Sequence, residues 1–175
     1  MTIAIRDATS AYIPAITRIY RQAVLEGTAT FELDPPHEAE MRSRMDTLVA
    51  GRFPYIVAEE RGTLLGYAYA GPYRLRPAYR FTVEDSIYIA PSAHRRGIGR
   101  MLLAELIAQS EARGFRQMVA VIGDSENHGS IGLHATLGFE MTGTFHDVGY
   151  KFGRWLDSVM MQLALGDGAK TAPKD

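Results

Sequence analysis

Residues 94–100 read His-Arg-Arg-Gly-Ile-Gly-Arg and stand directly before a predicted helix. The first turn of a helix leaves backbone N–H groups without an acceptor and carries partial positive charge, so it attracts anions. Gly97 and Gly99 let the backbone approach a pyrophosphate closely. Three arginines add positive charge: Arg95, Arg96 and Arg100. The segment therefore predicts a loop that binds phosphate groups.

Several kinds of loop could carry these glycines. A P-loop requires Gly-Lys-Ser/Thr, whereas Gly99 is followed by Arg100 and Met101. A dinucleotide-binding fingerprint requires a third glycine where Leu102 stands, and no βαβ unit opens the chain. On this segment alone, a purely structural Gly-x-Gly at the start of a helix stays open.

The hydropathy pattern sets the loop between a strand and a helix. Alternation over residues 81–89 predicts a strand with Glu84 and Tyr88 on one face, and three- and four-residue spacing predicts a helix over 97–113. Other helices are predicted at 11–26, where Ser10 could cap the helix, and at 37–50 and 130–137. Other strands are predicted at 3–6, 55–60, 64–73, 118–122, 140–148 and 158–165. The order describes one mixed α/β domain over residues 1–165, with a polar tail at 166–175 that is expected to fray.

Composition excludes several classes of protein. The chain has 175 residues, is 46% hydrophobic and contains no cysteine, which suits one globular domain without disulfides or a catalytic thiol. Its 19 basic and 20 acidic residues give a net charge of −1, which argues against nucleic-acid binding. The five histidines lack a metal-binding spacing. No apolar run could span a membrane and no signal peptide is evident, so we expect a cytoplasmic protein that binds no metal and no membrane.

A second motif follows the loop after one helix and one strand, and reads Asn-His-Gly-Ser-Ile-Gly-Leu-His-Ala-Thr-Leu-Gly-Phe over 127–139. Together the motifs resemble the GNAT acetyltransferase superfamily, whose acyl-CoA loop reads (Gln/Arg)-x-x-Gly-x-(Gly/Ala). His94 departs from that pattern at its first position. The resemblance is strongest to the phosphinothricin, methionine sulfone and methionine sulfoximine acetyltransferases. It rests on segments 80–88 and 149–157 and on histidine, rather than tyrosine, at position 134. It covers roughly residues 3–165.

The resemblance implies a fold and a cosubstrate. The fold would be a single-domain GNAT-like α/β fold, with a mixed, mostly antiparallel twisted sheet of about seven strands flanked by about four helices. The cosubstrate would be acetyl-CoA, admitted where two strands separate, and a backbone N–H of residues 87–89 would stabilise the oxyanion. A homodimer is expected from the branch alone. The expected cofactor-binding residues are Ile87, Tyr88, Ile89, Arg95, Arg96, Gly97, Ile98, Gly99, Arg100, Asn127 and Ser130.

Acetyl transfer to an amine requires a base for the ammonium group and benefits from an acid for the departing thiolate. We assign the base to Glu84, acting directly or through water, because it precedes the loop and partial burial would raise its pKa. Taken alone, Glu84 could also be an ordinary glutamate on a solvated strand face. We assign the acid to His134, whose side chain titrates in the right range. A packing or capping role for His134 and a capping role for Asn127 stay open.

The branch implies a small amino-acid-like acceptor with a free α-carboxylate, which a guanidinium group matches bidentately. Candidates for the acceptor pocket are Phe31, Tyr73, Arg74, Arg80 and Lys151, the last contributed by a neighbouring subunit. The predicted function is acetyl-CoA-dependent acetylation of the α-amino group of such a substrate. Acetylation of another amine, such as a peptide N-terminus or a polyamine, and a non-catalytic acyl-CoA-binding module are the alternatives.

Overall fold

The structure is a computed structural model that describes residues 2–173. Over that range the chain forms four α-helices and seven strands. The helices are α1 (Ile13–Glu26), α2 (Glu38–Ala50), α3 (Ile98–Ala112) and α4 (His128–Thr136). The strands are β1 (Ala4–Asp7), β2 (Tyr55–Glu60), β3 (Thr63–Pro72), β4 (Thr82–Ile89), β5 (Gln117–Gly123), β6 (Glu140–Lys151) and β7 (Arg154–Ala164). The predicted order of helices and strands is confirmed.

The strands form one sheet in the order β1-β2-β3-β4-β5-β7-β6. Every neighbouring pair is antiparallel except β4 and β5, which run parallel because α3 connects them. The hairpin between β2 and β3 turns at Arg61 and Gly62, both with positive φ, as its sequence predicts. The predicted mixed, mostly antiparallel sheet is thus confirmed.

Helices cover both faces of the sheet. Ile13, Ile16 and Tyr20 of α1 and Met45 of α2 are buried against one face of β2 and β3, where Tyr67 lies. On the other face a larger core joins α3 to β3, β4, β5 and β7, and α4 packs against it; among its members are Leu102, Leu106, Ala68, Val83, Met118 and Val159. Helices pack on both faces of the sheet, so the sheet is the centre of the domain.

Two helix starts differ in detail from the sequence pattern. Ser10 does not cap α1; it begins a short 3₁₀ turn at Ser10–Tyr12, and no side chain caps either helical segment. The start of α2 is capped by His37, whose Nδ1 accepts a hydrogen bond from the Glu40 N–H at 3.1 Å. Helix ends are set by local backbone geometry, which composition describes only approximately.

The described part of the C-terminal tail is held against β5. Arg116 donates hydrogen bonds from Nε to the Gly168 carbonyl at 2.9 Å and from Nη2 to the Thr171 carbonyl at 2.8 Å. The sequence predicts a tail that frays from residue 166 onward. Within that tail, the two hydrogen bonds attach Gly168 and Thr171 to Arg116. Between residues 2 and 173, none of the helices is long and apolar enough to cross a membrane.

The feature that shapes the site is a gap between β4 and β5. The two strands pair only from Thr82 to Asp85 on β4, opposite Gln117 to Ala120 on β5. Beyond Asp85, β4 continues to pair with β3 as far as Ile89, while β5 continues beside β7. The parallel strands therefore diverge at their carboxyl ends and leave backbone edges facing the gap.

Candidate active site

A groove of about 780 Å³ crosses the end of β4, between α1 on one side and the starts of α3 and α4 on the other. All but one of the predicted cofactor-binding residues line it: Ile87, Tyr88, Ile89, Arg95, Gly97, Ile98, Gly99, Arg100, Asn127 and Ser130. The exception is Arg96, whose Nη2 lies 2.9 Å from Glu60 Oε2 and forms an ion pair there. The structure thus gathers two distant motifs into one groove.

The start of α3 is suited to an anion. Gly97 has φ 78°, a left-handed conformation that disfavours other residues, and no atom lies within 4 Å of the position that a Cβ would occupy. No side chain caps the helix, so its first N–H groups remain available. A Cβ on Gly99 would lie 3.1 Å from Leu133 Cδ2, so this glycine lets α3 and α4 approach closely. With Arg95 and Arg100 beside it, this helix start fits a pyrophosphate.

The gap between β4 and β5 holds a smaller cavity of about 50 Å³ next to the groove. The cavity and the groove are both lined by Ile87, Tyr88, Asn127 and Ser130. Asn127 also caps α4, because its Oδ1 accepts a hydrogen bond from the Ser130 N–H at 3.2 Å. The capping role left open from the sequence is therefore present, on a residue that also lines the groove.

Glu84 lies one residue before the point where β4 and β5 stop pairing, opposite Val119 of β5. Burial, together with the neighbouring charge of Asp85, raises its pKa from 4.5 to about 7 against the opposing charge of Arg74. A carboxylate with a pKa near neutrality can both accept and release a proton at physiological pH. The geometry thus gives Glu84 the property that a general base requires.

His134 is buried at the other side of the gap, on α4. Its Nδ1 lies 2.7 Å from the Ser130 carbonyl and its Nε2 lies 3.0 Å from Asp85 Oδ2. Burial alone lowers the pKa of His134, but the hydrogen bond and charge of Asp85, together with the Ser130 carbonyl, raise it above the ordinary 6.5. The ring also packs edge-on against Phe139 at 4.9 Å between centroids, so the packing role is present as well.

Asp85 is the functional candidate that the sequence analysis missed. The alternation that puts Glu84 and Tyr88 on one face of β4 puts Asp85 on the opposite face, beside Val83 and Ile87. The signal was present in the pattern, because an aspartate among core-facing residues needs a partner. That partner is on α4, 49 residues away, and no local pattern could identify it.

The predicted acceptor residues fall into two groups. Near Glu84, the Tyr73 ring packs edge-on against Tyr79, and the Arg74 guanidinium lies 5.1 Å from the Tyr73 ring centroid. The Arg80 guanidinium lies 4.4 Å from the centroid of the adjacent Phe81 ring. A separate cavity of about 220 Å³ opens beside Tyr73 and Tyr79 and reaches residues that flank Glu84, namely Thr82 and Val119.

The second group, Phe31 and Lys151, lies on the loop after α1 and at the end of β6. Lys151 is buried, and its Nζ donates hydrogen bonds of 2.8 Å to the Gly27 carbonyl and of 2.8 Å to the Thr30 carbonyl. Burial lowers the pKa of Lys151, against the attraction of Glu32. The Phe31 ring packs so closely on β6 that a Cβ on Gly149 would lie 2.5 Å from it. Within one chain, Lys151 therefore holds the loop whose residues 27 and 29 line the groove.

These features define a class of protein. The site combines an anion-binding helix start, a groove that leads to a gap between two parallel strands, and a carboxylate with a pKa of about 7 beside that gap. Such a site suits the transfer of a group from a phosphate-bearing carrier. Among the described residues, no three potential metal ligands come together.

Comparison with known proteins specifies the class. Residues 16–139 match the model of the acetyltransferase (GNAT) family. The chain is 53% identical over 162 residues to a phosphinothricin N-acetyltransferase of Alcaligenes faecalis, covering 93% of this chain and 82% of that protein. It is 42% identical over 174 residues to an L-methionine sulfoximine/L-methionine sulfone acetyltransferase of Pseudomonas aeruginosa, covering 99% of this chain and 100% of that protein.

A solved structure agrees with these relatives. The phosphinothricin acetyltransferase of Sinorhizobium meliloti, crystallised in complex with AcCoA, superposes with a TM-score of 0.97 at 51% identity, covering 100% of this chain and 95% of that one. The chain therefore belongs to the acetyltransferase (GNAT) family and is an N-acetyltransferase. The predicted family and the fold that it implies are confirmed.

Proposed function

We propose that this chain transfers the acetyl group of acetyl-CoA to the α-amino group of a small amino acid of the phosphinothricin, methionine sulfone or methionine sulfoximine type. The observation that carries the proposal is the position of Glu84, with a pKa of about 7, at the gap to which the phosphate-binding groove leads. The acetyl-CoA named for the Sinorhizobium meliloti relative and the substrates named for the other relatives support it.

The residues of the groove fit the proposed cosubstrate. The uncapped start of α3, with Arg95 and Arg100, would hold the diphosphate, while Ile87, Asn127 and Ser130 would line the path towards the gap. Bound acetyl-CoA supplies an activated thioester carbonyl. Edge N–H groups of β4 beyond Asp85 have no partner on β5, so they are available as donors to a carbonyl oxygen.

Glu84 and His134 then divide the proton transfers. Glu84 accepts a proton from the ammonium group of the acceptor, since a carboxyl with a pKa of about 7 is about half ionised at neutral pH. His134, whose pKa is raised above its ordinary value, holds a proton at the opposite side of the gap. Glu84 belongs to β4 and His134 to α4, so each side chain can act without displacing the other.

Arg74 is a candidate carboxylate clamp that lies close to the base. Its positive charge opposes the rise in the pKa of the Glu84 carboxyl. The α-carboxylate and the α-amino group of an amino acid are separated by one carbon, so an arginine close to the base can bind one while the base meets the other. A polyamine would instead favour an acidic pocket, whereas residues 73–80 carry three arginines and no acid.

The experiment that tests the function is acetyl-CoA-dependent thiol release against a panel of acceptors. The panel contains phosphinothricin, methionine sulfone, methionine sulfoximine, ordinary amino acids, spermidine and a short peptide. Selective turnover of the first three is expected. Turnover of spermidine or the peptide alone would overturn the substrate assignment, and silence on every acceptor with acetyl-CoA still bound would favour a binding module.

We further propose that the enzyme is a homodimer in the cytoplasm. Six apolar or aromatic side chains on β6, on β7 and at the turn between them are more than half exposed: Met141, Phe145, Val148, Tyr150, Phe152 and Trp155. A patch of this kind is typical of a protein–protein interface. Light scattering coupled to size-exclusion chromatography should give twice the monomer mass, and Trp155→Ser should weaken the association. A monomer at all concentrations would contradict the dimer, and cell fractionation tests the location.

A further inference from the structure

The carboxyl of Asp85 is a buried charged group to which the proposed mechanism gives no role. Its side chain is 3% exposed and that of its partner His134 is 4% exposed. The two residues belong to β4 and α4, and both line the small cavity in the gap between β4 and β5. Asp85 Oδ2 lies 3.0 Å from His134 Nε2, so the pair joins α4 to β4.

The contacts of the ring fix where its protons are. The Ser130 carbonyl can only accept a hydrogen bond, so His134 Nδ1, at 2.7 Å, carries a proton. A carboxylate also only accepts, so Nε2 carries the second proton when Asp85 is ionised, and the ring is then an imidazolium. Burial by itself would favour the neutral ring. The charge on the ring therefore depends on Asp85.

A purely structural role would leave the carboxyl better satisfied. Asp85 Oδ1 is buried and has no hydrogen-bond partner among the described residues. A buried acceptor without a partner costs stability, and a buried ion pair is seldom a net gain over apolar packing. The aspartate is therefore costly to the fold at the position where it holds a charge beside the gap.

We propose that Asp85 is a positioning residue that keeps His134 doubly protonated in the gap, so that the ring has a proton to give to a leaving thiolate. This inference rests on the function proposed above. In the step, the Ser130 hydroxyl, whose Oγ lies 3.4 Å from Nδ1, gives its proton to the sulfur and takes the proton from Nδ1. The ring is left neutral with Nε2–H on Asp85, which keeps its charge, and solvent returns a proton to Nδ1 before the next turnover.

The strand itself separates the two proton transfers. Glu84 and Asp85 are consecutive on β4 and point to opposite faces of the sheet. Glu84 therefore faces the side assigned to the acceptor, while Asp85 contacts His134 of α4. The groups that face His134 are Asp85 from β4, the carbonyl and the hydroxyl of Ser130 from α4, and the Phe139 ring. Asp85 also raises the pKa of Glu84, so a change at Asp85 alters the pKa of both Glu84 and His134.

The test compares the wild type with Asp85→Asn, which keeps the shape and removes the charge. Nitrogen-15 NMR of the imidazole rings in the free protein should show both His134 nitrogens protonated at pH 7, with a signal assigned through His134→Gln. In Asp85→Asn the ring should lose its second proton at a lower pH. The matched control is Glu126→Gln, which alters the exposed pair of Glu126 and His128, 3.6 Å apart, and should leave the His134 signal unchanged.

Kinetics then separate positioning from a structural role. For Asp85→Asn we expect kcat at pH 8 to fall about tenfold or more, with both limbs of the pH profile moved to lower pH and CoA affinity changed by less than about twofold. A neutral His134 ring in the wild type at pH 7 would overturn the proposal, whether or not the variant folds. So would an unmoved titration in Asp85→Asn, or a moved titration with an unmoved alkaline limb. If the wild type acetylates no acceptor, the proposed function fails, and the NMR still decides whether Asp85 holds the charge.

Discussion

Replacing Glu84 by glutamine should stabilise the protein at high pH while it removes most of the activity. Burial and Asp85 raise the pKa of Glu84 from 4.5 to about 7, so between these pH values the folded chain retains a proton that the unfolded chain has released. The free energy of unfolding of the wild type therefore falls as the pH rises through this window. The whole shift corresponds to at most about 3 kcal/mol, because solvent still reaches part of the carboxyl.

Urea unfolding at pH 5 and pH 8 measures this effect directly. Glutamine carries no charge to desolvate, so the advantage of Glu84→Gln over the wild type should be small at pH 5 and should grow by up to about 3 kcal/mol at pH 8. Glu140→Gln, on the exposed first residue of β6, is the matched control and should follow the wild type at both pH values. A Glu84→Gln difference that stays constant between pH 5 and pH 8 would refute the reasoning.

The same variant tests the catalytic role. A general base contributes about 100-fold or more to the rate, so kcat/KM of Glu84→Gln at pH 8 should fall by about that factor. The acid limb of the wild-type profile, with a midpoint of about 7, should disappear in the variant. Binding of acetyl-CoA should stay nearly unchanged, because the groove residues are intact. Near-normal turnover with a gain in stability would leave Glu84 buried but not catalytic.

The remaining predictions concern the cations around the site. Arg74→Ala should move the acid limb to higher pH, because the Arg74 charge lowers the pKa of Glu84, and should raise the KM for amino acids more than for simple amines; equal KM changes would argue against a clamp. Arg100→Ala should weaken CoA binding in calorimetry several-fold more than Arg96→Ala, because Arg96 pairs with a glutamate outside the groove; equal losses would count against that placement. Lys151→Met should lower the free energy of unfolding by about 1–3 kcal/mol in urea titrations, because two loop carbonyls lose their donor, and an unchanged midpoint would contradict the tether.

Local signals determine much of this protein from its sequence. The strand at Thr82–Ile89 alternates with a period of two, the helix at Ile98–Ala112 follows glycines, and the order of all the helices and strands follows from such patterns. Gly97 and Gly99 predict an anion site because a helix start has free N–H groups wherever it occurs. The motif that begins at Asn127 adds the second wall of the groove.

Only the tertiary structure decided which side chains meet. Arg96 stands among the predicted phosphate-binding residues but pairs with Glu60 on β2, while Lys151 reaches back to the loop after α1, more than 120 residues away. Asp85 looks like an irregularity in an apolar face until α4 brings His134 against it. The gap itself depends on where β4 and β5 stop pairing. Helix and strand patterns arise from neighbours in the chain, whereas partners, burial and pKa values arise from residues that only the packed sheet and helices bring together.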